Sequence, residues 1–454
     1  MVRTSIDSDT SMQRLFARLS SANAAVARAF PGETLRRQPV HTVYGGAQLF
    51  RHDSAGKLSA QAIRALEEHA PDGATLARAL GPGFDASAAD TLRGRVLAKL
   101  RREAVEDFRI DFEDGYGNRS DDEEDGHAEA AARAVARGMA EGTLPPAIGI
   151  RIKTFSDERL RLRAVRTADV FLTTLCAETN RKLPPGFVVC LPKIRHPEHV
   201  AVLADVLGLL EERLGLPRHA LKLEIMIESP QAILEAEGTF QLPLLLDAAD
   251  GRCIAAHFGT YDYTASCNIT AAHQRMNHPA CDLARLLMIV AYAGTGITLS
   301  DGATNVLPIG PHAAREGAPP LTDAQREENR AVVHRAWKLH FDDVQASLRL
   351  GLYQGWDLHP AQLPSRFAAL FDFFQRRQAL AAERLRNFVV KAGQATLVDE
   401  VFEDAATGQG LLNFFLRALN AGALTEAEVL ERTSLTAAEL RSRSFLKILE
   451  GRRR

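Results

Sequence analysis

At 454 residues the chain is long enough for one large domain with extensions or for two to three smaller ones, and its 46% hydrophobic and 25% charged residues are the ordinary balance of a soluble globular protein. With 55 basic against 57 acidic side chains the net charge is −2, which leaves no electrostatic footprint for nucleic acid. No apolar run reaches 18 residues, which argues against a membrane span.

The N-terminus (MVRTSIDSDTSMQRLFARLS) has no apolar signal core and reads as the polar start of an amphipathic helix. Residues 1–39 are therefore expected as an N-terminal helical extension, and a cytoplasmic location is expected. Five cysteines (Cys176, Cys190, Cys253, Cys267 and Cys281) show neither CxxC pairing nor zinc-like spacing, and are expected as free thiols in a reducing compartment.

Short β-type apolar runs then recur between long stretches of helical periodicity. They are VHTVYGG (40–46), FRIDFED (108–114), IGIRIK (148–153), VFLTTL (170–175), FVVCLPK (187–193), LKLEIMIE (221–228), CIAAHFG (253–259), GITLSDG (296–302) and YQGWDLHP (353–360). Helices are predicted between them, at 123–141, 197–215, 279–293 and 322–352 among others. Strands that are apolar on both faces and alternate with helices are parallel βα units, and eight such units close a TIM barrel. Nine runs is one too many, and 170–175 is taken as an extra element. The expected fold is thus α/β, a (β/α)₈ TIM barrel over 40–364 with a helical insertion at 51–105. After Pro364 the pattern is almost wholly helical, so 365–454 is expected as a separate C-terminal helical domain. The basic end, RSRSFLKILEGRRR, reads as a solvated helical tail.

Carboxylates fall where the strand patterns end. Charge at such a place needs a reason, because an unpaired buried charge is costly. Glu224 and Glu228 share one face of LKLEIMIESP, and CIAAHFGTYDY runs into Asp262. Two carboxylates from neighbouring strand ends, completed by water and substrate oxygens, suit Mg²⁺. Capping or salt bridging is the competing account, and Glu224, deeper in its strand, fits it better. FRIDFEDG stacks Asp111, Glu113 and Asp114, three acids that would repel one another without cations nearby. Arg151 in IGIRIK and Lys193 in FVVCLPK supply them at other strand ends. The following SDDEED (120–125) reads as a solvated surface loop. His41, the Gly45–Gly46 pair, Asp301 with Gly302, and Asp357, His359 and Gln362 of GWDLHPAQ stay open between structural and functional roles.

In their order, the segments DFED, IRI, LPK, IES and FGTYDY resemble the barrel-strand motifs of the superfamily that joins citrate lyase β-subunits, HpcH/HpaI-type aldolases and malate synthases. GWDLHPAQ is similar to the HPxQ segment that closes the citrate lyase β-like barrel. Residues 191–235 look especially like malate synthase. FGTYDY resembles that family's GRWDY, with Thr260 in place of Arg and Tyr261 in place of Trp. VFEDAATG (401–408) is similar to the MEDAAT segment that carries the malate synthase catalytic aspartate, which matches Asp404; beyond Gly408 the pattern departs.

The resemblance implies a metal-dependent carbon–carbon lyase or synthase acting on an acyl-CoA and a small 2-oxo acid, with Mg²⁺ (or Mn²⁺) held by Glu228 and Asp262. Arg151 would stabilise the developing oxyanion and Asp404 would remove a proton alpha to a thioester or carbonyl. Glu113 and Asp114 would hydrogen-bond metal waters and position Arg151. Lys193, Gly259 and Thr260 would join Arg151 and Asp114 in binding substrate. Two other readings stay open: a class II aldolase that cleaves a 4-hydroxy-2-oxo acid without CoA, and a non-catalytic binding protein that kept the barrel. Homo-oligomerisation is compatible with all three.

Overall fold

A computed structural model describes residues 10–34, 36–81, 86–314, 319–390, 396–398, 401–403, 405–442, 447–448 and 451. Helix α1 (Thr10–Ala29) precedes strand β1 (His41–Gly46). Three helices, α2 (Ser54–His69), α3 (Gly73–Leu80) and α4 (Ala86–Glu103), lead to β2 (Asp107–Asp111). Strand and helix then alternate: α5 (Asp121–Glu141), β3 (Ala147–Arg151), α6 (Glu158–Glu178), β4 (Val188–Leu191), α7 (Pro197–Leu214) and β5 (Lys222–Ile227). The order continues through α8 (Leu242–Ala248), β6 (Cys253–Phe258), α9 (Thr260–Ser266), α10 (Pro279–Tyr292), β7 (Thr298–Ala303), α11 (Asp323–Arg349), β8 (Gln354–Asp357) and α12 (Leu363–Gln375).

The eight strands form one closed parallel barrel, β8 returning to β1 with Gly355 opposite His41. Strands β2 and β4 are buried at every position; β4 (VVCL) is apolar throughout, whereas β2 (DFRID) alternates apolar residues with charges that meet partners inside the barrel. The expected (β/α)₈ fold is therefore present. The ninth run, 170–175, is not a strand but the middle of α6. Its buried residues Ala164, Ala168, Phe171, Leu172 and Leu175 recur at helical spacing, and Thr173 faces solvent. A run of six apolar and threonine residues is too short to separate the two periods by itself.

SDDEED differs too. Ser120 caps α5 by accepting from the backbone N–H of Glu123, and Asp121 to Glu124 make the first helical turn, where the helix dipole favours acids. Glu124 is buried against Lys153 and Arg163. Gly142 and Gly215, both at φ 67°, end α5 and α7 in the left-handed conformation that a side chain resists.

The insertion helices α2 to α4 join the outer ring, packing with α11 and α12. Helix α12 also packs on α11 and α4, and buries Phe367, Phe371 and Phe374. It follows the expected boundary after 364 yet packs on the helices of the outer ring. Beyond it stand α13 (Gln378–Val390), a short antiparallel pair β9 (Thr396–Val398) and β10 (Val401–Glu403), α14 (Ala405–Asn420), α15 (Glu426–Thr433) and α16 (Ala437–Arg441). This unit is tied to the barrel by Arg95–Glu428 (2.6 Å) and by Arg417–Glu33 (2.9 Å). Arg417 also donates to Gln38, at the N-terminal entrance of β1. Among the described residues no helix is long and apolar enough to cross a membrane.

Candidate active site

In a parallel barrel, strands deliver side chains to the C-terminal face and loops close over them. On that face a cavity of about 370 Å³ is lined by Tyr44, Asp111, Asp114, Arg151, Glu228 and Asp262, together with Gly259, Thr260, Tyr261 and Trp356. A second cavity of about 300 Å³ opens on the N-terminal face. Its charged residues Glu106, Asp107, Arg109 and Glu224 are engaged with one another or with Arg37 and Lys99, so they are committed to holding that end together.

Arg151, at the end of β3, is held by Asp111, at the end of β2. Nε donates to one carboxylate oxygen (2.7 Å) and Nη2 to the other (2.6 Å), a planar two-point grip. Asp111 is kept in place by the backbone N–H groups of Glu113 (3.0 Å) and Gly115 (2.7 Å). The guanidinium lies over the Tyr44 ring at 4.8 Å, and Tyr44 packs on Trp356 at 4.5 Å between centroids. That arrangement leaves Nη1 as the remaining edge, with Glu113 Oε2 at 3.4 Å and Asp114 Oδ2 at 3.8 Å.

Lys193 follows β4 with a φ of 51°, a conformation uncommon for a residue with a side chain. Its backbone N–H donates to Glu228 Oε1 (2.6 Å) while its ammonium pairs with Glu113, with Asp114 (2.7 Å) and, at 4.0 Å, with Asp262. One residue therefore ties three strand ends together. Among the described residues Glu228 makes no ion pair. Burial, reinforced by the nearby Asp262 charge, pushes its carboxyl up to about 8. Burial raises Glu113 to about 7 against the pull of Arg151, and burial raises Asp262 as well. Asp114 goes the other way: hydrogen bonds involving Glu113 and Lys193 outweigh burial and lower it.

Five carboxylates (Asp111, Glu113, Asp114, Glu228 and Asp262) thus share two cations, Arg151 and Lys193. A divalent ion would supply the missing positive charge, and the oxygen donors Glu228 and Asp262 fit a hard cation. Among the described residues no three such side chains converge closely enough to hold a metal alone, so water and substrate would complete the shell.

Arg151, Asp114, Glu228, Asp262, Gly259 and Thr260 all line the cavity, and Glu113 and Lys193 join it through ion pairs. Asp111 makes the two-point hydrogen bond to the Arg151 guanidinium, a partner the sequence did not single out, while Glu113 and Asp114 pair with its Nη1. Thr260 is 2% exposed and its hydroxyl donates to Met276 Sδ (3.1 Å), so its side chain is already committed. Asp404 lies outside the described residues. The helix that begins beside it, α14, is anchored at its far end to the N-terminal face through Arg417.

The remaining polar residues have partners of their own. Glu224 takes two hydrogen bonds from Arg109, at 2.5 and 2.6 Å. His41 and His340 both face Asp357, at 2.6 and 3.0 Å, and Arg366 completes that buried cluster. His359 and Gln362 cap a short turn before α12. Asp301 pairs with Arg285 (2.8 Å). Gly45 and Gly46 make room: a Cβ on Gly45 would stand 2.7 Å from the Phe108 ring, and one on Gly46 2.5 Å from the Gly115 carbonyl.

Tyr44, Trp356 and Tyr261 escaped a reading centred on charged strand ends. A period-two signal was available, since Arg109 and Asp111 alternate to one face of β2 and Gln354 and Trp356 to one face of β8.

A family model described as a domain of unknown function (DUF6986) matches residues 19–448. No curated protein matches the chain. Among solved structures, a citrate lyase from Burkholderia xenovorans LB400 is 19% identical with a TM-score of 0.55, covering 88% of this chain and 98% of its own. A Haloferax volcanii malate synthase magnesium/glyoxylate complex is 15% identical (TM-score 0.46; 90% and 98% covered). Its pyruvate/acetyl-CoA ternary complex is 14% identical (TM-score 0.45; 92% and 98% covered). At such identities the citrate lyase likeness shows the barrel fold alone.

Proposed function

We propose that this chain, which belongs to the DUF6986 family, is a Mg²⁺-dependent carbon–carbon lyase or synthase acting on a small 2-oxo acid and an acyl-CoA. The observation that carries the reading is the pairing of an underneutralised Glu228–Asp262 corner with an Arg151 locked by Asp111 in one cavity. Bound there, Mg²⁺ (or Mn²⁺) would act as a Lewis acid on the oxo-acid carbonyl.

The chain's own groups would do the rest. Glu228 and Asp262 would hold the cation. Arg151 turns Nη1 to the oxygen on which charge develops; because Asp111 already fixes the guanidinium, little reorganisation is needed as that charge appears. Tyr44 and Trp356 form an aromatic floor that keeps water from the underside of Arg151. Lys193 and Asp114 set the electrostatics at the rim. Asp404 is the proposed base that takes the proton alpha to the thioester; in the cleavage direction it returns that proton to the leaving enolate.

Replacing Asp404 by Asn is expected to abolish CoA-dependent turnover and leave Mg²⁺ affinity unchanged, read by a free-thiol assay and calorimetry. Retained turnover would remove the base from this account. A second reading, a class II aldolase acting on a 4-hydroxy-2-oxo acid without CoA, is favoured by one observation. Every described group that lines the cavity comes from the barrel, and the C-terminal part of α14 is held to the opposite face through Arg417. Thermal shifts with acetyl-CoA, pyruvate and oxaloacetate, each with and without Mg²⁺, separate the two. A non-catalytic binding protein would show no Mg²⁺-dependent gain for any oxo acid.

A further inference from the structure

We infer that α1 and α10 form the interface of a homodimer, in which α1 of each copy lies on α10 of the other. Every side chain of α1 from Gln13 onward is exposed, and the helix does not pack against the barrel. Yet it is amphipathic. Leu15, Phe16, Leu19, Val26 and Phe30 follow helical spacing and are 48%, 56%, 53%, 59% and 51% exposed. In proteins most of a helix's stability comes from packing such an amphipathic face.

The barrel offers a match. The outward positions of α10 are Leu283, Leu286 and Val290, at 57%, 48% and 72% exposure, where an outer barrel helix normally presents polar side chains. The two stripes are neighbours. Gly32, just past α1, donates its backbone N–H to the carbonyl of Gly294 (2.8 Å), just past α10, and Phe30 sits against Gly294. Gly32 has a φ of 91°, the left-handed region that favours glycine. Two adjacent apolar stripes on one molecule are self-complementary under a two-fold axis, so a second copy covers both at once.

The area agrees. The eight exposed side chains present on the order of 800 Å² per copy, what each partner contributes to a stable interface of standard size. A membrane surface is the competing occupant for α1, whose charged residues Arg14, Arg18 and Arg28 are all basic. It would leave unexplained why the rigid α10 carries the matching stripe.

Sedimentation equilibrium of the full chain at about 50 µM should give twice the chain mass. Leu19→Glu with Val26→Glu, and separately Leu286→Glu with Val290→Glu, should each weaken association at least about tenfold. Thermal melts close to wild type would show that the barrel still folds, since all four side chains are exposed. Val26→Cys with Val290→Cys should give a cross-linked dimer on mild oxidation. A monomeric wild type overturns the proposal, as does a dimer indifferent to both double variants. So does a monomer that sediments with anionic phospholipid vesicles through α1 alone.

Discussion

Glu224 and Glu228 stand four residues apart on the same face of one strand pattern, yet their surroundings give them opposite chemistry. Arg109 grips Glu224 at two points and holds it well below the usual carboxylate range, whereas Glu228, which makes no ion pair among the described residues, is pushed by burial and the nearby Asp262 up to about 8. Two substitutions should therefore part company. Glu224→Gln is expected to cost about 3–5 kcal/mol in a denaturant melt, the usual penalty for breaking a buried ion pair, while Mg²⁺ affinity stays near wild type. Glu228→Gln should do the reverse, losing Mg²⁺ binding in calorimetry with stability kept or raised, because a buried and poorly neutralised acid is removed.

The direction of the Glu228 shift also sets a pH dependence. A carboxyl raised from about 4.3 in the unfolded chain stabilises the fold while it stays protonated. That contribution is lost as pH rises through about 8. Metal binding needs the deprotonated form. The Mg²⁺-induced rise in Tm should accordingly be larger at about pH 8.5 than at about pH 6.5, with proton release on binding near neutral pH. A Tm rise that is flat or falls with pH would exclude Glu228 as a ligand.

At the scale of elements, the site depends on how closely β5 and the turn after β6 approach. A Cβ at Gly259 would stand 2.5 Å from Glu228 Cβ and 2.5 Å from its Oε2. Gly259 is thus needed for the space it leaves, a role that fits the short FGTYDY turn better than contact with substrate. Gly259→Ala should push the Glu228 carboxylate aside and weaken Mg²⁺ roughly tenfold, the scale seen when the support of a ligand is lost, with the barrel still folded. Unchanged affinity in calorimetry would show that the carboxylate does not need this gap. The same scale explains the misread run at 170–175. Its residues suit either period locally, and burial of Phe171, Leu172 and Leu175 against the barrel selects the helix.

For the molecule as a whole, the ring closes only with α12. A chain ending at Pro364 would lose Phe367, Phe371 and Phe374 from the seam between α11 and α4, and is expected to be insoluble or to melt without cooperativity. A chain ending at Arg377 should melt cooperatively and bind Mg²⁺, although with lower stability once the Arg95–Glu428 and Arg417–Glu33 ties are gone. Equal behaviour of the two truncations would return the boundary to 364.

What the amino-acid order determined by itself is the barrel and the position of its working face. Strands buried on both sides are largely apolar, so the carboxylates and cations that gather at their ends stand out at Asp111, Arg151, Lys193, Glu228 and Asp262, although buried charges such as Arg109 and Glu224 also lie within them. What only the tertiary structure decided is which partner each charge meets. Arg151 is matched to Asp111 across 40 residues and Arg109 to Glu224 across 115, and no local pattern encodes such pairings. Because burial makes an unpaired charge expensive and a paired one cheap, those long-range choices turned Glu224 into structure and left Glu228 free for chemistry.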